Sequence, residues 1–385
     1  MRRLLIPLAI LILSLALWLP DLLSRRNGGQ VQANLISASA MEVSGFAQVQ
    51  EPRSLHFPAD HGPHPEYQTE WWYYTGNLDS PDGRHFGYQL TFFRRALLPP
   101  DQFPERISDW ATSQVYMAHF ALTDITGRRF QAYERLGRGA AGLAGARAAP
   151  FQVWLEDWRV EETAPGEYQL KASKDGFSLD LRLNDTKGPV LQGDRGYSRK
   201  GSQPGQASYY YSLTRLASTG QVSIGDQTYP VEGLSWMDHE FSTSYLSEDQ
   251  VGWDWFALQL DDGSELMVFQ IRTKDGSADP YSSGTLVAPD GSSRHLNRDD
   301  FQISVKETWE SPRTNAVYPA RWVLEIPEAG ISLEIEPYLA DQELDVAYIY
   351  WEGAVRIRGE YAGRVVQGSG YVELTGYARS LGGEF

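Results

Sequence analysis

Tight-turn signals recur along this chain so closely that long helices have little room to form. Pro81-Asp82-Gly83, Thr126-Gly127, Pro165-Gly166, Asp175-Gly176, Asp262-Gly263, Asp275-Gly276 and Pro289-Asp290-Gly291 all favour reversal of the chain. Between them run short segments rich in aromatic and β-branched residues, such as Phe86–Arg94, Val115–Thr123, Phe151–Glu161, Phe177–Leu183, Trp253–Leu260 and Leu266–Thr273. A hydrophobic period of 3.6 residues is hard to find after residue 26. The expected fold class is therefore all-β, with meandering antiparallel sheets in barrels or sandwiches. A length of 385 residues, at roughly 100–200 residues per domain, allows two or three domains.

The two halves share a pattern. Trp71-Trp72 leads to Gly83 and a strand ending at Phe93-Arg94, while Trp253 and Trp255 lead to Gly263 and a strand ending at Ile271-Arg272. Each half reads as aromatic strand, Asp-Gly turn, apolar strand, Arg. This predicts two copies of a β-meander joined near residues 240–250. Two stretches do not read as strands: Ala96–Ser113, a long loop with Pro99-Pro100 and Pro104, and Gly137–Pro150, a run of Gly, Ala and Arg. Long loops of this kind either cover a binding site or are plain surface excursions.

Residues 1–26 open with Arg2-Arg3 and an apolar run from Leu4 to Leu19, which predicts an N-terminal apolar helix serving as signal peptide or signal anchor. Ala38-Ser39-Ala40 has the form of a cleavage site but lies far downstream, which favours an uncleaved anchor, residues 4–23, in the inner membrane. The expected location is exported, periplasmic or extracellular. The formal charge is −16, and residues 1–40 hold four Arg and one Asp, so the remainder carries −19. Nucleic acid is excluded as a partner by this balance, and adsorption of the whole domain to anionic head groups is disfavoured. The chain has no cysteine, which removes disulfides, thiolate metal sites and a cysteine nucleophile.

Glu70-Trp71-Trp72-Tyr73-Tyr74-Thr75 is the densest of the aromatic stretches, in a chain with 12 Trp and 21 Tyr. Alternation places Glu70, Trp72 and Tyr74 on one face and Trp71, Tyr73 and Thr75 on the other. One face is core; the other is core as well or lines a cavity for an apolar ligand. His119 sits among apolar neighbours, as either a satisfied core histidine or a ligand contact. Trp236-Met237-Asp238-His239-Glu240-Phe241 sets three titratable groups between aromatic residues, with Asp238 and Glu240 on one face. Acid–base work or structural hydrogen bonding suits it better than a metal. Asp254 shares a face with Phe256, Leu258 and Leu260, where burial raises a carboxyl and equips it to donate a proton. A buried Asp bonded to the backbone is the plainer reading. His61 and His64 lie in a Pro-flanked loop without an evident third metal ligand.

Several of these segments resemble the carotenoid 1,2-hydratase/AttH family. They are Phe57-Pro58-Ala59-Asp60-His61-Gly62-Pro63-His64, Glu70-Trp71-Trp72-Tyr73, Met117-Ala118-His119, Trp236-Met237-Asp238-His239-Glu240, Gly252-Trp253-Asp254-Trp255-Phe256 and Gly370-Tyr371-Val372-Glu373-Leu374-Thr375-Gly376-Tyr377. The resemblance covers about residues 50–380. It implies two tandem lipocalin-like barrels related by a pseudo-twofold: residues 51–242 and 243–385, after a linker at 27–50. It also implies cofactor-free hydration of an isolated double bond, with Asp254 as acid and His239 and Glu240 as catalytic neighbours. Glu70, Trp71, Trp72, Tyr74, His119, Trp236, Asp238, Trp253 and Trp255 would then contact an apolar, lipid or isoprenoid-like ligand. Glu240-Phe241 after His239 resembles secreted AttH-like members more than the pigment enzymes. The expected function is binding of such a ligand with its hydration or hydrolysis; the alternative is a carrier serving a membrane transporter.

Overall fold

The structure, a computed structural model, describes residues 44–103, 108–244 and 246–382. The expected N-terminal helix and its cleavage site lie outside them. Two curled, nearly closed antiparallel sheets make up the described chain. The first holds β1 (Thr69–Asp79), β2 (His85–Ala96), β3 (Gln114–Asp124), β4 (Arg129–Arg138), β5 (Ala144–Ala148), β6 (Phe151–Leu155), β7 (Trp158–Ala164), β8 (Glu167–Lys174), β9 (Phe177–Asp185), β10 (Val190–Leu191), β11 (Tyr197–Arg199), β12 (Ala207–Ile224) and β13 (Gln227–Ser242). The second holds β14 (Gln250–Leu260), β15 (Glu265–Thr273), β16 (Ser283–Val287), β17 (Ser293–Leu296), β18 (Gln302–Glu310), β19 (Val317–Ile326), β20 (Ile331–Pro337), β21 (Glu343–Leu344), β22 (Tyr350–Tyr361) and β23 (Arg364–Leu374). These are the two tandem lipocalin-like barrels.

Strand order repeats as the sequence pattern predicts. The first sheet runs β4-β3-β2-β1-β13-β12-β9-β8-β7-β6-β5 and the second β17-β16-β15-β14-β23-β22-β20-β19-β18. In each, a four-strand meander starts from the aromatic strand, and the last long strand returns to pair with that same strand. Gly83 and Gly263 close the equivalent hairpins at φ +83° and +88°, a region that favours glycine. Two expectations needed correction. Phe151–Glu161 is two strands, reversed at Glu156 with φ +58° and no Gly or Pro to announce it. Gly137–Pro150 contains the edge strand β5, whose small residues pair with β6.

Both barrel interiors are filled. Trp72, Tyr74, Tyr88, Phe120 and Trp158 pack inside the first, and Phe256, Trp322, Trp351 and Ile357 inside the second. A third cluster, with Tyr73, Trp236, Trp255, Phe269 and Tyr371, lies between the barrels on their outward faces. Polar clamps cross the same seam: Asn77 Nδ2 donates to Gly370 O at 3.0 Å, and Gln259 Nε2 donates to Thr214 O at 2.7 Å. Buried Glu265 receives Lys187 Nζ at 2.7 Å and also Arg215 Nε. The two barrels also meet closely at Gly87, where a built Cβ would sit 2.5 Å from Ala354 Cβ. Gly87→Val should therefore prise the seam apart and cost about 1–3 kcal/mol, read as a lower urea midpoint. An unchanged midpoint would mean that the barrels are not held by this contact.

Candidate functional site

The pleat of β1 decides which rings meet which barrel. Glu70, Trp72 and Tyr74 turn into the first barrel, and Trp71 and Tyr73 turn out against the second. On β14, Asp254, Phe256 and Leu258 turn in, and Trp253 and Trp255 turn out. Outward faces of barrels normally meet water. Here they are aromatic because each barrel covers the other. Where the two faces part, they enclose a mainly apolar cavity of about 150 Å³.

Six of the residues expected from sequence line it: Trp71, His119, Asp238, Glu240, Trp253 and Trp255. Trp236 lies behind them and donates Nε1 to Asp238 Oδ1 at 2.7 Å. The remaining expected residues are elsewhere. Glu70, Trp72, Tyr74 and His239 belong to the interior of the first barrel, and Asp254 to an end of the second.

Asp254 accepts from Arg272 Nε at 2.9 Å and from the Tyr377 hydroxyl at 3.0 Å. Burial raises its carboxyl, while Arg272 and Tyr377 draw it back. Glu70, its counterpart on β1, receives Arg94 Nε at 2.8 Å. The repeated strand–turn–strand–Arg pattern therefore places an acid–arginine pair inside one end of each barrel. Neither Asp254 nor His239 faces the cavity, so the acid–base partnership implied by the resemblance is not assembled there.

Glu70 anchors a wider network. Its Oε1 lies 2.8 Å from both His64 Nδ1 and His239 Nε2. His239 Nδ1 lies 3.1 Å from the Tyr211 hydroxyl, which lies 2.7 Å from His61 Nδ1. His64 Nε2 reaches Asp60 at 2.9 Å. Burial alone would raise Glu70, but Arg94 and the two imidazoles overcome it and hold the carboxyl well below its ordinary range. His64, Glu70 and His239 bring ligand atoms within 4.8 Å of one another, the spacing of a metal site. Yet both imidazoles address one oxygen at hydrogen-bond distance, and Arg94 already supplies the compensating charge. This donor set is that of a structural hydrogen-bond network.

The cavity has acids of its own. Glu352 on β22 and Glu373 on β23 are direct cross-strand partners, and both line it. Burial pushes Glu373 up to about 7, tempered by Trp253 Nε1 donating at 3.0 Å and reinforced by Asp238 and Glu240. Burial, then the Glu373 charge, drives Glu352 well above the ordinary carboxyl range, with Tyr73 and Tyr350 beside it. Neither Glu352 oxygen makes a hydrogen bond of ordinary geometry among the described residues. Burial also raises Asp238 to about 7, against hydrogen bonds from Ser212, Tyr210 and Trp236. Lys200 Nζ pairs with Glu240 Oε1 at 3.2 Å and lies 4.0 Å from the Phe269 ring centroid. His119 joins the first barrel to the second, with Nδ1 2.8 Å from the Tyr350 hydroxyl and Nε2 3.2 Å from Glu134. Of these groups, Lys200, Tyr210, Tyr350 and Glu352 gave no sequence signal, and Glu373 entered only inside a longer motif.

These acids make a pH prediction. Asp238, Glu352 and Glu373 bind protons more tightly folded than unfolded, where carboxyls titrate near about 4. The folded state then holds more protons than the unfolded one from about pH 4 to 7, so stability falls as pH rises through that window. Glu70 acts oppositely in acid below its ordinary range, and the buried imidazoles of His61, lowered to about 4, and His239, also lowered by burial, act oppositely up to about pH 6.5. Above about pH 6.5 only the raised acids of this set still titrate, so the melting temperature should decline from about pH 6.5 to 8. A melting temperature that rises from about pH 6.5 to 8 would overturn the assignment of neutral acids.

The fold and cavity define a class: tandem lipocalin-like barrels with an acid-bearing apolar cavity on the seam. A sequence profile described as AttH-like matches residues 48–377. A crystal structure of a Nitrosomonas europaea protein designated AttH is 37% identical, with a TM-score of 0.78 over 87% of this chain and 100% of that one. The chain belongs to the AttH-like family, as its motifs led us to expect. Kievitone hydratase of Nectria haematococca matches at 14% identity and TM-score 0.65, over 87% of this chain and 98% of that one. CghA matches at 14% identity and TM-score 0.51, over 88% and 97%. These last two share the fold. A search of the curated proteins found no match.

Proposed function

We propose that this protein hydrates an isolated carbon–carbon double bond of an apolar, isoprenoid-like molecule held between its barrels. The observation that carries the reading is the facing pair Glu352 and Glu373 in a buried, mainly apolar cavity. Two carboxylates so placed cannot both ionise cheaply, so one stays a neutral acid near pH 7. Glu352 donates its proton to one alkene carbon. The positive charge that develops on the other carbon is stabilised by the faces of Trp71, Trp253 and Trp255. A water molecule then attacks that carbon, and a carboxylate, Glu373 or Asp238, takes the proton that the water gives up. Proton return to Glu352 closes the cycle, with the net addition of one water. Both proton transfers use side chains, so the reaction as written needs no cofactor. Kievitone hydratase, by its name a hydratase, shares the fold, which is compatible with this chemistry.

The same cavity would also serve a carrier with no chemistry, handing ligand to a membrane transporter. The apolar run Leu4–Leu19 supports an exported, membrane-tethered setting for either role. The test incubates the purified full chain with a panel of acyclic isoprenoids in heavy-oxygen water, followed by mass spectrometry. Incorporation of one heavy oxygen per product supports hydration. Retention of unmodified ligand through gel filtration, without any product, supports the carrier.

A further inference from the structure

The cavity wall holds four acids, Asp238, Glu240, Glu352 and Glu373, against one lysine, Lys200. Lys200 pairs with Glu240. His119, also on the wall, turns its two nitrogens to Tyr350 and Glu134. Among the described residues, no Lys, Arg or His pairs with Asp238, Glu352 or Glu373. Asp238 is compensated by the hydroxyls of Tyr210 and Ser212 and the indole of Trp236. Glu373 has the Trp253 indole. Glu352 is fully buried, and neither of its oxygens has a partner of ordinary geometry. Buried polar groups are nearly always bonded, so a carboxyl left this way on the wall of a cavity marks the place of a ligand.

The surroundings of Glu352 and Glu373 are rings. Trp255 is the cross-strand partner of Glu373, and Tyr73 meets Trp255 edge to face with centroids 5.1 Å apart. Tyr73 and Tyr350 stand beside Glu352. Calcium and magnesium demand shells of oxygen, which rings do not supply. An organic ammonium suits such a place, because its alkyl groups pack on rings that also attract its charge. One ammonium is already held in this manner on the same wall. Lys200 Nζ lies 3.2 Å from Glu240 Oε1, 4.0 Å from the Phe269 ring centroid and 5.2 Å from that of Tyr210.

The geometry points to a second such place, at Glu352 and Glu373, that takes the ammonium group of an amphipathic amine. Binding ionises one carboxyl and expels its proton, so a positive head group replaces a buried proton between the two acids. The phenols of Tyr73, Tyr350 and Tyr371 also face this pair, and burial keeps all three neutral by raising them well above their ordinary range. Asp238, Glu240 and Lys200 face it from the first barrel, and His119 reaches it through Tyr350. Ammonium recognition does not rest on the hydration reading, since it is measured without turnover.

Hexyltrimethylammonium and heptanol, alike in chain and different in charge, are titrated calorimetrically into the purified full chain in buffers of differing ionisation enthalpy. At about pH 6 the ammonium should bind with release of about one proton and heptanol with none. Ammonium affinity should rise about tenfold from about pH 5 to 6, while heptanol affinity stays level. Glu352→Gln combined with Glu373→Gln should weaken the ammonium about tenfold or more at unchanged heptanol affinity, which also shows that the variant is folded. Equal affinities without proton release overturn the proposal, as does an ammonium preference that survives the double variant. Displacement of the ammonium by millimolar calcium overturns it too, in favour of a hard-cation site. If the double variant does not fold, proton release and pH dependence in the native chain still decide. Heavy-oxygen incorporation reports on hydration separately: a chain that hydrates nothing can pass this test, and one that hydrates can fail it.

Discussion

Glu352→Gln is expected to abolish turnover while leaving ligand affinity nearly intact. The substitution keeps the shape of the side chain and its place on β22, but an amide cannot donate a proton to carbon. Loss of a general acid typically costs about 10²–10⁴ in rate. The same change removes a buried ionisable group opposite Glu373, so the variant should also be more stable than the parent at pH 8 and show a flatter decline of melting temperature with pH. Turnover and calorimetric ligand titration, measured together, separate the roles. An acid loses rate at constant affinity, whereas a carrier residue changes affinity alone. Retained turnover in this variant would sink Glu352 as the acid. Asp254→Asn serves as the contrast. Its carboxylate is held by Arg272 and Tyr377, so its main expected effect is on stability.

Arg94→Met should be the most destabilising single change in the first barrel. Arg94 and Glu70 are both almost fully buried, and the guanidinium also donates Nη2 to His64 O and Tyr67 O at 2.8 and 2.9 Å. Removing it leaves a carboxylate without its cation and two carbonyls without a donor. Breaking a buried pair from one side costs about 3–5 kcal/mol, seen as a large fall in urea midpoint. The partner change, Glu70→Gln, should be destabilising as well, yet the double variant should lose less than the sum of the two, because the second change removes the charge that the first stranded. Additive losses would show that the network acts as separate hydrogen bonds.

Much of the architecture was legible because it is local. An Asp-Gly turn, a strand that alternates and a closing Arg are written within about 25 residues of one another, and each half repeats them. Alternation also told correctly that Glu70 and Trp72 share a face and that Trp71 and Tyr73 share the opposite one. What it could not tell was which face meets a second barrel. Asp254 attracted attention as an acid on an apolar face, and that description fits; Arg272, on the neighbouring strand, gives it a structural partner. Glu352 and Glu373 escaped notice for the converse reason. They occupy outward positions, where a glutamate ordinarily faces solvent, and only the packing of two barrels buries them. Their environment is made by residues more than a hundred positions away, such as Tyr73 and Asp238, which periodicity does not register.

The filled interiors of the two barrels separate the task of folding from the task of recognition. Stability resides in rings such as Trp72, Phe92 and Phe256, whereas the cavity is upholstered by alternate residues of the same strands, such as Trp71, Phe93 and Trp255. A lineage can therefore rewrite the wall of the cavity from either side, one outward position at a time, without disturbing the cores that hold the walls up. That division of labour fits a fold that persists in kievitone hydratase and CghA when only 14% of positions agree.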